Sequence, residues 1–201
     1  MLLACAVLAQ ADERLEKLAA GLRSEDSQAR MAAYNALNRE RSAALPGILL
    51  KVLPDCPDLG QYYGILVLQR QPPKAARAVL RKLTLSASVH LRVTAAAYLW
   101  RMGDTKTASV IVKALRDETL PTARKALLLL RIYGIRDAGV LAAVREHLTP
   151  DAAPTVLDAA LYNIYMARDK GARSAVKSLA AHQDPSVRAL AGACLLVLGD
   201  A

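Results

Sequence analysis

Asp184-Pro-Ser-Val-Arg-Ala-Leu-Ala-Gly-Ala-Cys-Leu-Leu-Val-Leu-Gly-Asp200 reads as one helix with both of its ends encoded. Asp184 suits the N-cap, where a carboxylate accepts an orphan backbone N–H, and Pro185 suits the first helical position, where no donor is missed. Gly199 can take the left-handed conformation that closes a helix. Val187, Ala191 and Leu195 stand four apart and share one face.

The same pattern recurs upstream. With Arg30, Gln61, Arg92, Ala123, Leu157 and Arg188 as a common slot, the spacings are 31, 31, 31, 34 and 31 residues. Three places on come Ala33, Gly64, Ala95, Ala126, Ala160 and Ala191, a column that is always small. Seven places on come Leu37, Leu68, Leu99, Leu130, Ile164 and Leu195, a column that is always aliphatic. Asp26, Ser88, Thr119 and Asp184 occupy the N-cap place, Gly103, Gly134 and Gly199 the closing place, and Pro72 stops the second unit.

Each of these helices is preceded by another, over about residues 12–22, 43–53, 74–84, 106–116, 138–148 and 172–182, with Leu, Ile and Val at helical spacing. Phe is absent, and strand-like alternation of Val, Thr and aromatics is missing. The prediction is an all-α, right-handed α-solenoid of about six helix pairs, each burying one face against its neighbours. The small column lets successive helices approach; the aliphatic column fills the seam.

The stretch Asp184-Pro-Ser-Val-Arg188…Ala191…Cys194-Leu195…Gly199 resembles a HEAT repeat of the bacterial type. Ser88…Arg92…Ala95…Leu99…Gly103-Asp104 and Asp26…Arg30…Ala33…Leu37 resemble it too, whereas the second, fourth and fifth units lack the slot arginine. The resemblance implies a binding scaffold without chemistry of its own. It also implies that the slot arginines are structural, pairing with turn aspartates of neighbouring units.

Residues 1–11 carry no charge and resemble the apolar core of a secretory signal peptide ending at Ala9-Gln10-Ala11, although the basic leader is missing. On that reading the protein is exported to the periplasm, and residues 12–201 form a single HEAT-repeat domain. The other reading is an apolar first helix in a cytoplasmic protein. No stretch is long enough to span a membrane.

Lys and Arg number 27 against 18 Asp and Glu, a net charge of +9 spread over both halves, which favours an anionic partner. Cys5, Cys56 and Cys194 are too scattered for a disulfide framework or a zinc site. His90, His147 and His182 fall in separate units, and no phosphate loop or nucleophile motif occurs. No catalytic, cofactor-binding or metal-ligating residue is therefore expected.

The surface singled out lies on the second helix of each pair, the inner one. Arg39, Arg70, Arg101 and Arg131 recur near the helix ends, with Tyr62, Trp100, Tyr162 and Tyr165 close by. Cations beside flat rings suit an acidic protein segment. That makes a non-catalytic protein–protein interaction scaffold the first expectation. The alternative is a nucleic-acid-binding protein, at its extreme similar to the HEAT-like alkylpurine DNA glycosylases, with Trp100 and Asp104 four apart. Asp104, however, belongs to the Gly-Asp turn that recurs at Gly199-Asp200.

Overall fold

The computed structural model describes residues 2–132 and 134–199. Asp200 lies outside the described residues, as do the side chains of residues 1–9, Ala123 and Leu127. Among the described residues the regular structure is helical throughout. The pairs are α1 (Leu2–Ala20) with α2 (Ser27–Leu37), α3 (Leu45–Val52) with α4 (Asp58–Gln69), and α5 (Pro73–Leu83) with α6 (Val89–Arg101). They continue as α7 (Ala108–Leu115) with α8 (Thr122–Arg131), α9 (Ala138–Arg145) with α10 (Pro154–Ala167), and α11 (Arg173–Leu179) with α12 (Pro185–Leu198).

The chain divides into two compact units, Met1–Ala95 and Ala96–Ala201, with the boundary inside α6. In the first unit α3 packs between α1 and α5, and α2 packs on α4. In the second, α7 packs on α9, α10 lies between α8 and α12, and α11 backs α12. Like therefore packs on like, as a repeat stack requires.

The helix ends follow from capping chemistry. The Asp26 carboxylate accepts from the Gln28 N–H at 2.9 Å, and that of Asp184 from Ser186 and Val187 at 2.9 and 3.3 Å. Ser88 Oγ accepts from the Leu91 N–H at 3.3 Å. Gly103, Gly134 and Gly199 are left-handed, with φ of 94°, 77° and 86°. At the equivalent place after α10 stands Arg168, left-handed at φ 55° and ψ 45°. A side chain with a Cβ is strained there. Arg168→Gly is expected to raise stability by about 1 kcal/mol, read as a higher urea midpoint at unchanged slope.

The small column is buried in all six pairs, with Ala95, Ala160 and Ala191 at 0 % exposure. Ala160→Leu or Ala95→Leu should cost about 1–3 kcal/mol by overpacking. An unchanged thermal midpoint would contradict this register.

The aliphatic column departs from expectation in the fourth pair. Leu130 is 45 % exposed, while Leu129 and Ile132 are fully buried. The cause lies in the helix start. Thr119 is not an N-cap: its N–H and Oγ1 donate to Asp117 Oδ1 at 3.0 and 2.6 Å, closing a turn. The chain then passes Pro121 before α8 opens at Thr122. The later start rotates the seam to Leu129 and turns Leu130 outward. In the last pair Cys194 and Leu198 hold the seam, and Leu195 is half-buried.

The slot arginines are structural, but their partners are carbonyls rather than aspartates. Arg30 donates to Ser24 O; Arg92 to Ser86 O and Ala87 O at 2.7 and 2.8 Å; Arg188 to His182 O and Gln183 O at 2.7 and 2.8 Å. Each guanidinium sews down the turn that leads into its own helix. In the second pair the buried Gln61 substitutes: its Nε2 donates to Cys56 O at 2.9 Å and its Oε1 accepts from Ser88 Oγ at 2.9 Å. Ion pairs between successive pairs use other arginines, as in Arg23–Asp55 (2.9 Å) and Arg116–Glu146 (2.6 Å). These are exposed and contribute little individually.

Two histidines tie successive pairs together. His147 Nε2 meets Leu115 O at 3.1 Å, and His182 Nε2 meets Pro150 O at 3.2 Å. His182 Nδ1 accepts from the Asp184 N–H at 3.0 Å, which leaves Nε2 as the donor. The backbone of residues 2–20 is one helix running through the Ala11–Asp12 junction, a conformation that a signal-peptide core and a first structural helix both predict. Among the described residues no helix is long and apolar enough to cross a membrane.

Candidate functional site

The second unit carries a groove of about 900 Å³ over α8, α10 and α12. It arises from periodicity. On α10, Val156, Leu157, Ala159, Ala160, Leu161 and Ile164 are buried, which leaves Thr155, Asp158 and Tyr162 facing the groove, with the buried Ala159 at its floor. On α12, Ser186, Ala189, Leu190 and Ala193 do the same, and α8 adds Ala126 and Leu130. Four of these are alanines, so the space between α10 and α12 stays unfilled.

The lining is mostly apolar, with its polar groups gathered at the N-terminal ends of α10 and α12. Asp158 is the single charged residue in α10 and among the described lining residues. Its Oδ2 accepts from Ser186 Oγ at 3.0 Å; its Oδ1 is shielded from solvent without a hydrogen-bond partner. A shielded carboxylate oxygen left unsatisfied is costly.

Seven large apolar side chains stand exposed among the described residues, and five of them, Leu130, Tyr162, Tyr165, Met166 and Leu196, belong to α8, α10 and α12. Such clustering exceeds the single scattered apolar residues of an ordinary surface. Beyond Tyr162 the same faces of α10 and α12 run on into a second depression of about 380 Å³, lined by Arg136, Tyr165, Met166, Arg168 and Val197.

Of the eight residues singled out in the sequence, Arg39, Tyr62 and Arg70 belong to the first unit and the other five to the second. Arg39 and Arg70 are exposed just beyond α2 and α4. Tyr62 is half-buried beside Tyr63, with ring centroids 6.2 Å apart, and Tyr63 stacks on Tyr34 at 5.0 Å. Trp100 is half-buried, its indole N–H shielded and without a hydrogen-bond partner. The Arg101 guanidinium lies 5.0 Å over the Tyr98 ring and donates to Arg131 O at 3.2 Å. That cation is engaged within the fold, and Arg131 is half-buried.

Tyr162 lines the large groove and Tyr165 the smaller depression. The basic stripe and the groove are thus different features. Asp158, Leu130 and the alanine floor were not among the expected site residues. The signal that could have found Asp158 was its isolation as the one charge in a fourteen-residue helix. Burial pushes the Cys56 and Cys194 thiols up to about 11, so both are protonated at neutral pH.

No family model matches the sequence, and no curated protein matches it. Solved structures do. A designed armadillo repeat protein in complex with the peptide (KR)4 aligns with a TM-score of 0.52 at 17 % identity, covering 92 % of this chain and 99 % of that one. A second designed armadillo repeat protein aligns with a TM-score of 0.51 at 19 % identity, covering 92 % of this chain and 100 % of that one. An engineered protein aligns with a TM-score of 0.50 at 20 % identity, covering 93 % and 99 %. In its fold the chain is an all-α helical repeat protein similar to designed armadillo repeat proteins.

Proposed function

We propose that the chain is a non-catalytic interaction module of the HEAT type that holds a segment of a protein partner in the groove of α8, α10 and α12. The observation that carries this is that exposed Leu130 and Tyr162 line an unfilled, alanine-floored groove. Apolar grooves with a few placed polar groups are where proteins take ligands. The designed armadillo neighbour that is in complex with peptide (KR)4 supports a peptide as the ligand class.

The expectation of an acidic partner rested on the net charge of +9, which acts at long range. The groove itself offers a carboxylate, so the contact surface of the partner need not be acidic. For the same reason a peptide suits this groove better than a phosphate backbone, which needs cations along its path. Export remains part of the proposal, on the uncharged residues 1–11.

The test is selection from a random peptide display library on wild type, followed by affinity measurement on Ala189→Arg. Ala189 is exposed and lines the groove, so arginine there fills it without disturbing the core. Selected peptides should lose about tenfold or more in affinity, the equivalent of one displaced contact of ~1.4 kcal/mol. Equal binding to both proteins would overturn the reading.

A further inference from the structure

Resting on that reading, we propose that the groove is polarised along α10 and takes an extended peptide with a cationic side chain at one end and a carboxylate at the other. The negative end is Asp158, whose shielded Oδ1 has no hydrogen-bond partner and whose Oδ2 is already held by Ser186. A Lys or Arg of the ligand pairs with this half-buried carboxylate at the groove wall as a charge-assisted contact. The positive end is the depression holding Arg136 and Arg168, both exposed, beside Tyr165 and Met166.

Arg168 closes α10 in a left-handed conformation at a place where three other pairs carry glycine. The guanidinium is therefore present despite the strain of its backbone. Helical rise sets the span between the two ends. Ten residues separate Asp158 from Arg168, which is about 15 Å along α10. An extended chain advances ~3.3 Å per residue, so the complementary charges of the ligand stand about four or five residues apart.

Tyr162 and Leu130 line the stretch between, which calls for aliphatic residues between the charges. A uniformly basic peptide meets the arginine end with like charge, and a uniformly acidic one meets Asp158. Both are disfavoured by repulsion as much as by lost attraction. The charge pattern of the ligand, rather than its net charge, is what this groove selects.

The experiment is fluorescence anisotropy of the full chain with the blocked, labelled probe Gly-Arg-Leu-Ala-Leu-Glu-Gly. Companion probes carry Gln for Arg, Gln for Glu, or Arg at both charged places. Each companion should bind about tenfold more weakly, the size expected for one charge-assisted contact. Asp158→Asn should weaken the parent probe and leave the probe lacking Arg unchanged. Arg136→Gln with Arg168→Gln should weaken only probes that carry Glu. All three positions are exposed or half-exposed, and circular dichroism checks that the fold persists.

Equal affinity for charged and neutral probes, or variants that weaken all probes alike, would overturn the polarised groove. So would the absence of binding by every probe. If Ala189→Arg still weakens library-selected peptides by about tenfold or more, the docking groove survives that result; if it does not, the groove itself falls. Tighter binding of a labelled oligonucleotide that is lost in the double arginine variant would likewise overturn the peptide assignment.

Discussion

Gly60→Ala is expected to destabilise the protein by about 3 kcal/mol, the upper end for inserting a methyl group into a packed site. Gly60 lies in the first turn of α4, where that helix crosses the short turn Gly21–Arg23 after α1. A Cβ there would stand 2.2 Å from the Leu22 carbonyl oxygen and 3.2 Å from Cys56 Cβ. The first neighbour is backbone and cannot rotate away, so the helix itself must shift. Leu22 is fully buried, and Asp55 of the adjoining turn pairs with Arg23, so the shift would disturb both turns.

Gly64, one turn on, makes an informative comparison. Its Cβ would also meet a neighbour at 2.2 Å, but that neighbour is Cδ2 of Leu53, the end of a side chain that can change rotamer. Gly64→Ala should therefore cost less than Gly60→Ala. Gly192, inside α12, where an added Cβ would meet nothing within 4 Å beyond its own helix backbone, serves as the control, and alanine there should stabilise by about 0.5–1 kcal/mol. Thermal unfolding reads all three, with a fall of roughly 6–12 °C for Gly60→Ala. A fall under about 2 °C would show that the two turns do not approach as closely as described.

The contrast between Asp184 and Leu130 shows what could be read in advance. Capping is local chemistry: Asp184, Pro185 and Gly199 each act within one helix and its turn, so both ends of α12 were legible. The small column was legible because close approach admits no other residue size. Leu130 was not, because its exposure depends on where α8 begins, and that is decided by the Asp117–Thr119 turn and Pro121 upstream.

The candidate site was less legible still. The shared phase of Arg101 and Arg131 suggested a row of free cations, yet Arg101 donates to the Arg131 carbonyl thirty residues away. The groove is a space left between α10 and α12 by Ala159, Ala189 and Ala193. A gap of that kind depends on the distance between two helices, which periodicity along one of them does not encode. Asp158 gains its meaning only from that gap.

Asn163→Asp is expected to be the most damaging single-atom change in the second unit, about 4 kcal/mol at neutral pH. Asn163 is 3 % exposed, and its Nδ2 donates to Leu129 O at 2.9 Å and to Ala159 O at 2.8 Å. The Leu129 bond joins α10 to α8 across the seam beneath the groove. Both partners are carbonyl oxygens, which settles the amide orientation. A carboxylate in its place presents oxygen to oxygen and carries an unpaired buried charge.

Burial and the two carbonyls raise the folded-state pKa of the new carboxyl above its unfolded value of about 3.9. The neutral acid can still donate one bond. The variant is therefore least handicapped below that unfolded pKa, and it loses stability as pH rises through the raised folded value. Asn163→Ala loses both bonds but has no group to titrate, and should cost about 2 kcal/mol at every pH. Urea unfolding of the two variants between about pH 5 and pH 8 should show the aspartate variant falling progressively below the alanine variant. Parallel curves would mean that water reaches the carboxylate and that the α8–α10 seam is open; an aspartate variant as stable as wild type at the upper pH would remove Asn163 from the seam altogether.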